Sequence, residues 1–290
     1  MTDPRPDLAA TIGPLVEMAI AGGASMGEAA AGAFRQVGRL GYRSVAWPAM
    51  TPGLRPRDLD ATARRGIASE LRRHELTLAS VDLWIPPGHF LDPEHLDRAV
   101  TAVEAAVAFA GDLARHAALD PGSAGRRRPI VSTLLPSEPE RRAAGRRGEE
   151  LAQAIAALAA AGERAGIAIA DHAPESSVNP SPLASGVDPA ACLAAGRDPA
   201  ATVLAAGRRL AAARLVDLFR SGLRGAIGEP GEARLDIVGY RVALDVIEFR
   251  GATIVDSRQW RDPSGGLAVS LERWAGAVPE PGGRERGGVA

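Results

Sequence analysis

No lysine occurs anywhere in the 290-residue chain, so all 34 basic residues are arginines. That excludes a Schiff-base lysine, a pyridoxal-phosphate lysine and a Walker-A lysine. Cysteine is nearly absent as well. Cys192 stands alone, so no internal disulfide and no cysteine-rich metal site can form, and its apolar neighbours suit a small core residue. Aromatic residues make up 4% of the chain and the net charge is -1, which leaves few stacking platforms and no basic footprint for nucleic acid. No uninterrupted run of about 18 apolar residues occurs, and the opening MTDPRPDLAA lacks the basic-then-apolar pattern of a signal peptide. The expectation is a cytoplasmic protein with no nucleic-acid or membrane partner.

What is present is apolar content of 46%, enough for a sizeable core, arranged in short runs that alternate with helical patterns. Val187 to Pro199, VDPAACLAAGRDP, gives the clearest unit: an apolar run ends at Asp188, a proline follows, and Asp198-Pro199 reads as a helix start. Strands are expected at Leu15 to Ile20, Ser44 to Trp47, Leu76 to Ile85, Pro129 to Leu135, Ile167 to His172, the run ending at Asp188, Arg214 to Phe219 and Ala252 to Asp256. Helical patterns cover Met26 to Leu40, Pro56 to His74, Pro93 to Leu119, Glu149 to Ala165, Pro199 to Ala212, Leu235 to Phe249 and Gly265 to Trp274. Pro136 to Arg147 reads as a charged exposed loop, and Arg126 to Arg128 as part of a solvated one. This alternation predicts an α/β fold, a closed (β/α)8 TIM barrel. An open doubly wound sheet is disfavoured because no G-x-G-x-x-G loop follows the first strand. One domain spans residues 1–277, and the tail 278–290 lacks apolar periodicity and is expected to be disordered.

Five stretches taken in order carry a resemblance: LGYRSVAWPAM, IADHAPES, VDPAACLAAGRDP, RLVD and GEARLDIVGYRVALDVIEFRGATIVD. From about Gly13 to Trp274 the chain resembles the xylose isomerase-like barrels, the sugar phosphate isomerase/epimerase family. The resemblance implies isomerisation or epimerisation of a small polyhydroxylated or keto substrate, with glutamates moving a proton beside a divalent ion such as Mn, Co, Zn or Mg. It also implies pairing of two copies. Matched without gaps, the family's four metal-ligand positions fall on Ala170, Asp188, Arg214 and Asp256. Asp188 and Asp256 alone keep a carboxylate there, so the ordinary metal site is expected to be lost and no cofactor is expected. Asp171 and Asp217 would serve as replacement ligands only if the fifth and seventh strands slipped by one residue, which turns each side chain to the other face.

His172, Asp188 and Asp256 are the candidate acid/base groups, and Arg214 the candidate electrostatic element. A buried guanidinium needs partners, for which Asp188 and Asp256 are the expected choice. Arg214 either polarises a substrate oxygen or plugs a former metal site. Trp47 and Trp84, ending the second and third strands, are candidate walls for a sugar face. His89 lies on the third strand-to-helix loop, and Arg258, two residues beyond Asp256, is a candidate anion contact. The alternative to an enzyme is a non-catalytic barrel that binds a ligand or a partner protein. A barrel nuclease of the multi-zinc type needs far more histidine than the five present.

Overall fold

The computed structural model describes residues 8–118, 128–177 and 181–277. In order these form β1 (Leu8–Thr11), α1 (Gly13–Ala21), α2 (Met26–Leu40), β2 (Ser44–Pro48), α3 (Ala61–Arg73), β3 (Thr77–Asp82), α4 (Leu96–Ala118), β4 (Ile130–Thr133), α5 (Glu138–Ala143) and α6 (Arg146–Ala165). There follow β5 (Ile169–Asp171), β6 (Ala184–Val187), α7 (Pro189–Ala194), α8 (Pro199–Ala206), β7 (Leu210–Leu215), the short hairpin β8 (Asp217–Leu218) and β9 (Arg224–Gly225), α9 (Ile237–Val246), β10 (Thr253–Val255) and α10 (Pro263–Gly276). Eight strands close in the order β1-β10-β7-β6-β5-β4-β3-β2, every neighbouring pair parallel. The expected TIM barrel is the fold observed.

Two features of the chain make the barrel close. The inward apolar side chains Ala9, Ala46 and Ile254 form a small cluster of their own, apart from the larger shell in which Val45, Trp47, Val81, Ile169 and Leu215 meet the helices. Helix starts are set by side-chain caps. Ser25 and Ser137 each form a reciprocal capping box, with Glu28 and Glu140, and Asp60, Asp188, Asp198, Asp236 and Asp262 accept from backbone N–H groups of the first turn.

The first strand departs from the sequence reading. Leu15 to Ile20 lies in α1, and β1 is Leu8–Thr11. Pro14 in the first turn favours the helix, and a four-residue strand rich in alanine carries too little periodicity to be recognised. The seventh strand begins at Leu210, four residues before Arg214, because Gly207 at φ 52° breaks the alanine-rich run that otherwise continues the helical pattern to Ala212. Within Pro136 to Arg147, α5 replaces the expected loop. Arg128 donates to the carbonyls of Ala165 and Gly166, at 3.4 and 3.2 Å, at the C-terminal end of α6. Arg126, Arg127 and the tail 278–290 lie outside the described residues. Among the described residues no helix is long and apolar enough to cross a membrane.

Candidate active site at the barrel mouth

The C-terminal ends of the barrel strands and the β8–β9 hairpin bring six charged side chains together at the mouth. Asp82, at the end of β3, faces Arg214 of β7 across the barrel. Arg214 donates from both terminal nitrogens, Nη1 to Oδ2 at 2.8 Å and Nη2 to Oδ1 at 2.6 Å, and neither side chain is more than 5% exposed. Arg214 therefore pairs with Asp82, and the expected pairing with Asp188 and Asp256 is not formed. Those two carboxylates are held by other guanidiniums. Arg224 of β9 donates to Asp188 Oδ1 and Oδ2, at 3.2 and 2.9 Å, and to Asp256 Oδ2 at 3.1 Å. Arg258 donates to Asp256 from its backbone N–H at 3.2 Å, from Nε at 2.7 Å and from Nη2. Three carboxylates thus face three guanidiniums, and the mouth carries no net charge from this set.

His172 lies beneath. Its Nε2 is 3.2 Å from Ser132 Oγ, Ser132 Oγ is 3.0 Å from Ser80 Oγ, and Ser80 donates to Asp82 Oδ1 at 2.7 Å. The hydroxyls connect the imidazole to the Asp82–Arg214 pair. Gly186 of β6 makes room for this ring: a Cβ there would come within 2.5 Å of His172 Cε1 and Nε2. Burial, then Arg214 and Arg258, push the His172 pKa well below its ordinary value, so the imidazole is neutral. Burial alone would raise the Asp256 carboxyl, but Arg258, Arg214 and Arg224 outweigh it and hold Asp256 below the usual carboxylate range.

Trp84 covers the network. The Arg258 guanidinium carbon lies 3.7 Å from its ring centroid, that of Arg214 4.9 Å, and the His172 ring 5.1 Å. Three buried polar atoms in this group have no hydrogen-bond partner among the described residues: Trp84 Nε1, His172 Nδ1 and Arg214 Nε. The large majority of buried side-chain polar atoms in proteins are paired.

Of the residues singled out from sequence, His172, Asp188, Asp256, Arg214, Arg258 and Trp84 are brought together here. Trp47 is not. Its ring lies on the outer face of β2 between Phe34 and Phe109, at 6.3 and 5.6 Å, and its Nε1 donates to the Leu54 carbonyl, so it is a fully buried core side chain. His89 is also elsewhere, exposed and stacked on His95 at 4.5 Å. Asp82, Ser80, Ser132 and Arg224 were not anticipated. The first two were legible, since Ser80, Asp82 and Trp84 alternate along one run and so share a face. Arg224 had no local signal, because only the β8–β9 hairpin carries it back over the mouth.

The residues do not fit a divalent ion. Ala170 keeps its inward place opposite Ser132, so β5 has not slipped. Asp171 instead accepts from the backbone N–H groups of Leu135 and Ala173, at 3.1 and 3.0 Å. Asp217 accepts from those of Arg234 and Leu235, both at 2.9 Å. Both proposed replacement ligands are therefore committed to holding loops. Arg214 brings a permanent positive charge to the mouth, and Asp188 and Asp256 already carry guanidinium partners. Among the described residues no group of three or more His, Cys, Asp or Glu side chains could hold a metal.

No family model matches the chain, and no curated protein does. Solved structures do. A xylose isomerase domain protein from Planctomyces limnophilus is similar over 83% of this chain and 90% of its own, at 15% identity and a TM-score of 0.65. A D-allulose 3-epimerase from Methylomonas sp. covers 94% and 98%, at 17% identity and 0.63. A xylose isomerase-like TIM barrel protein from Mycobacterium smegmatis, solved in complex with magnesium, covers 96% and 98%, at 13% identity and 0.63. This chain has the xylose isomerase-like TIM-barrel fold. At such identities the likeness is one of fold, and the chemistry rests on the mouth residues themselves.

Proposed function

We propose that this barrel acts on a small polyhydroxylated or keto substrate of the sugar isomerase/epimerase type, by proton transfer at its mouth and without a divalent ion. The observation that supports the reading is the clustering of Arg214, Arg224 and Arg258 with Asp82, Asp188 and Asp256 at the barrel mouth, which puts fixed positive charge where the resemblance implies an ion. Guanidiniums in a low-dielectric site stabilise an oxyanion as it develops on a carbonyl oxygen. His172 is the base in this reading. Its imidazole is neutral, its Nε2 is positioned by Ser132, and its Nδ1 is unpartnered and can receive a proton. A depressed pKa makes the resulting imidazolium a strong acid, which returns the proton readily. Asp188 and Asp256 orient Arg224 and Arg258, and Trp84 supplies an apolar face.

A second reading, ligand binding without turnover, is favoured by the same electrostatics. Asp256 is held below the usual carboxylate range and His172 well below its ordinary value, so neither titrates near neutral pH, where general acid/base catalysis is most efficient. One experiment separates the two. Ketoses, aldoses and hydroxy-keto acids are incubated with the protein in D2O containing a chelator, exchange at carbon is followed by NMR, and binding is titrated in parallel. Exchange that disappears in His172→Gln supports the first reading. Saturable binding without exchange supports the second, and the absence of both overturns the site assignment.

A further inference from the structure

We propose that a cleft beside the barrel mouth, between α4 and the exits of β2 and β3, binds a small organic anion with an apolar body. The cleft encloses about 450 Å³, within the range of pockets that hold small ligands. It shares no lining residue with the Asp–Arg network. The chain leaving β3 is the partition: Leu83 and Ile85 line the cleft, whereas Trp84 between them packs on Arg214 and Arg258. Side chains that alternate along an extended segment divide in this way.

The cleft is lined for an amphipathic anion. Its floor is apolar, with Leu83, Ile85, Pro56 and Ala99 all buried. Its rim carries Arg55, Arg57 and Arg98 against Asp97, three positive charges to one negative. Arg55 Nε donates to the Met50 carbonyl at 3.2 Å, and Arg57 lies 3.7 Å from Asp58. Arg98 has no hydrogen bond or ion pair among the described residues and is exposed at the rim. On the β3 side the rings of His89 and His95 stack at an interplanar angle of 21°, with His95 Nδ1 2.7 Å from Asp92 Oδ2. A guanidinium rim selects a carboxylate or sulfonate head, and an apolar floor selects a ring or acyl chain. A neutral sugar would leave that floor unused, so this ligand differs in class from the one proposed for the mouth.

The probe is 1-anilinonaphthalene-8-sulfonate, an apolar anion that fluoresces when shielded from water, titrated onto the full chain and then displaced with octanoate or octylamine. Octanoate is expected to displace it at roughly tenfold lower concentration than octylamine, because the ammonium is repelled by the rim. Arg98→Glu and Thr101→Trp lie on exposed positions of α4, one reversing a rim charge and the other filling the cleft. Each is expected to weaken the dye about tenfold while leaving the circular dichroism unchanged. Dye binding within twofold of the parent in either variant, equal displacement by both amphiphiles, or no dye binding at all overturns the proposal. Carbon exchange at the mouth is a separate readout, so failure here leaves the proposed function untouched.

Discussion

At the scale of single residues, Arg214 and Asp82 form the contact on which the mouth depends, and they depend on each other. Both are buried and joined by two hydrogen bonds, so removing one partner strands a charge in the interior. Arg214→Met is expected to lower unfolding free energy by about 3–5 kcal/mol. The double variant Arg214→Met/Asp82→Leu should be more stable than either single variant, and urea unfolding at pH 7 measures the difference. His172 gives a pH prediction with a definite sign. Its folded pKa lies below the ordinary value of 6.5 that it regains on unfolding. The unfolded chain therefore binds the proton more tightly, and the stability gained by keeping the ring neutral is present above pH 6.5 and lost as the pH falls towards the folded pKa. Denaturant midpoints between pH 7.5 and pH 5 should fall more steeply in the parent than in His172→Gln, which has no imidazole to protonate.

At the scale of elements, the mouth is assembled by close backbone approach and by one hairpin. Gly186 lets β6 pass against the His172 ring, and Gly186→Ala is expected to cost about 1–3 kcal/mol by forcing the ring off Ser132. Thermal unfolding reads that loss. The β8–β9 hairpin delivers Arg224, and Asp217 anchors the segment that follows by accepting from the N–H groups of Gly228, Arg234 and Leu235. Asp217→Ala should raise amide hydrogen exchange over 226–235 while leaving α2 and α4 protected, since local opening follows the local loss of bonds. Helix starts were readable at this scale. The Ser137-Glu140 capping box shows that even the missed α5 carried its signal, though a six-residue helix in a charged stretch is easily taken for a loop. Alanine-rich strands were not so readable: β1 has too few residues to show a period of its own, and the start of β7 continues a helical pattern until the barrel pairs it.

At the scale of the whole molecule, a closed barrel with an internally neutralised mouth should not respond to divalent ions. Adding about 1 mM manganese, cobalt or zinc is expected to leave the thermal midpoint within about 1 °C. An ion bound to the folded state with Kd near 10 µM would stabilise it by about 2.7 kcal/mol, a shift of several degrees. Differential scanning calorimetry with and without chelator decides this. Two levels of the molecule separate here. The sequence by itself determined the barrel class, the loss of lysine and cysteine chemistry, and which strand ends carry Asp188, Arg214, Asp256 and His172, because these follow from composition and from period-two and helical patterns along the chain. Only the tertiary structure decided that Arg214 takes Asp82, that Arg224 bridges Asp188 and Asp256, and that Trp47 faces the helices while Trp84 covers the mouth. Ion-pair partners 32 to 132 residues apart are chosen by barrel closure and by which face each strand turns inward, and neither is a local property of the chain.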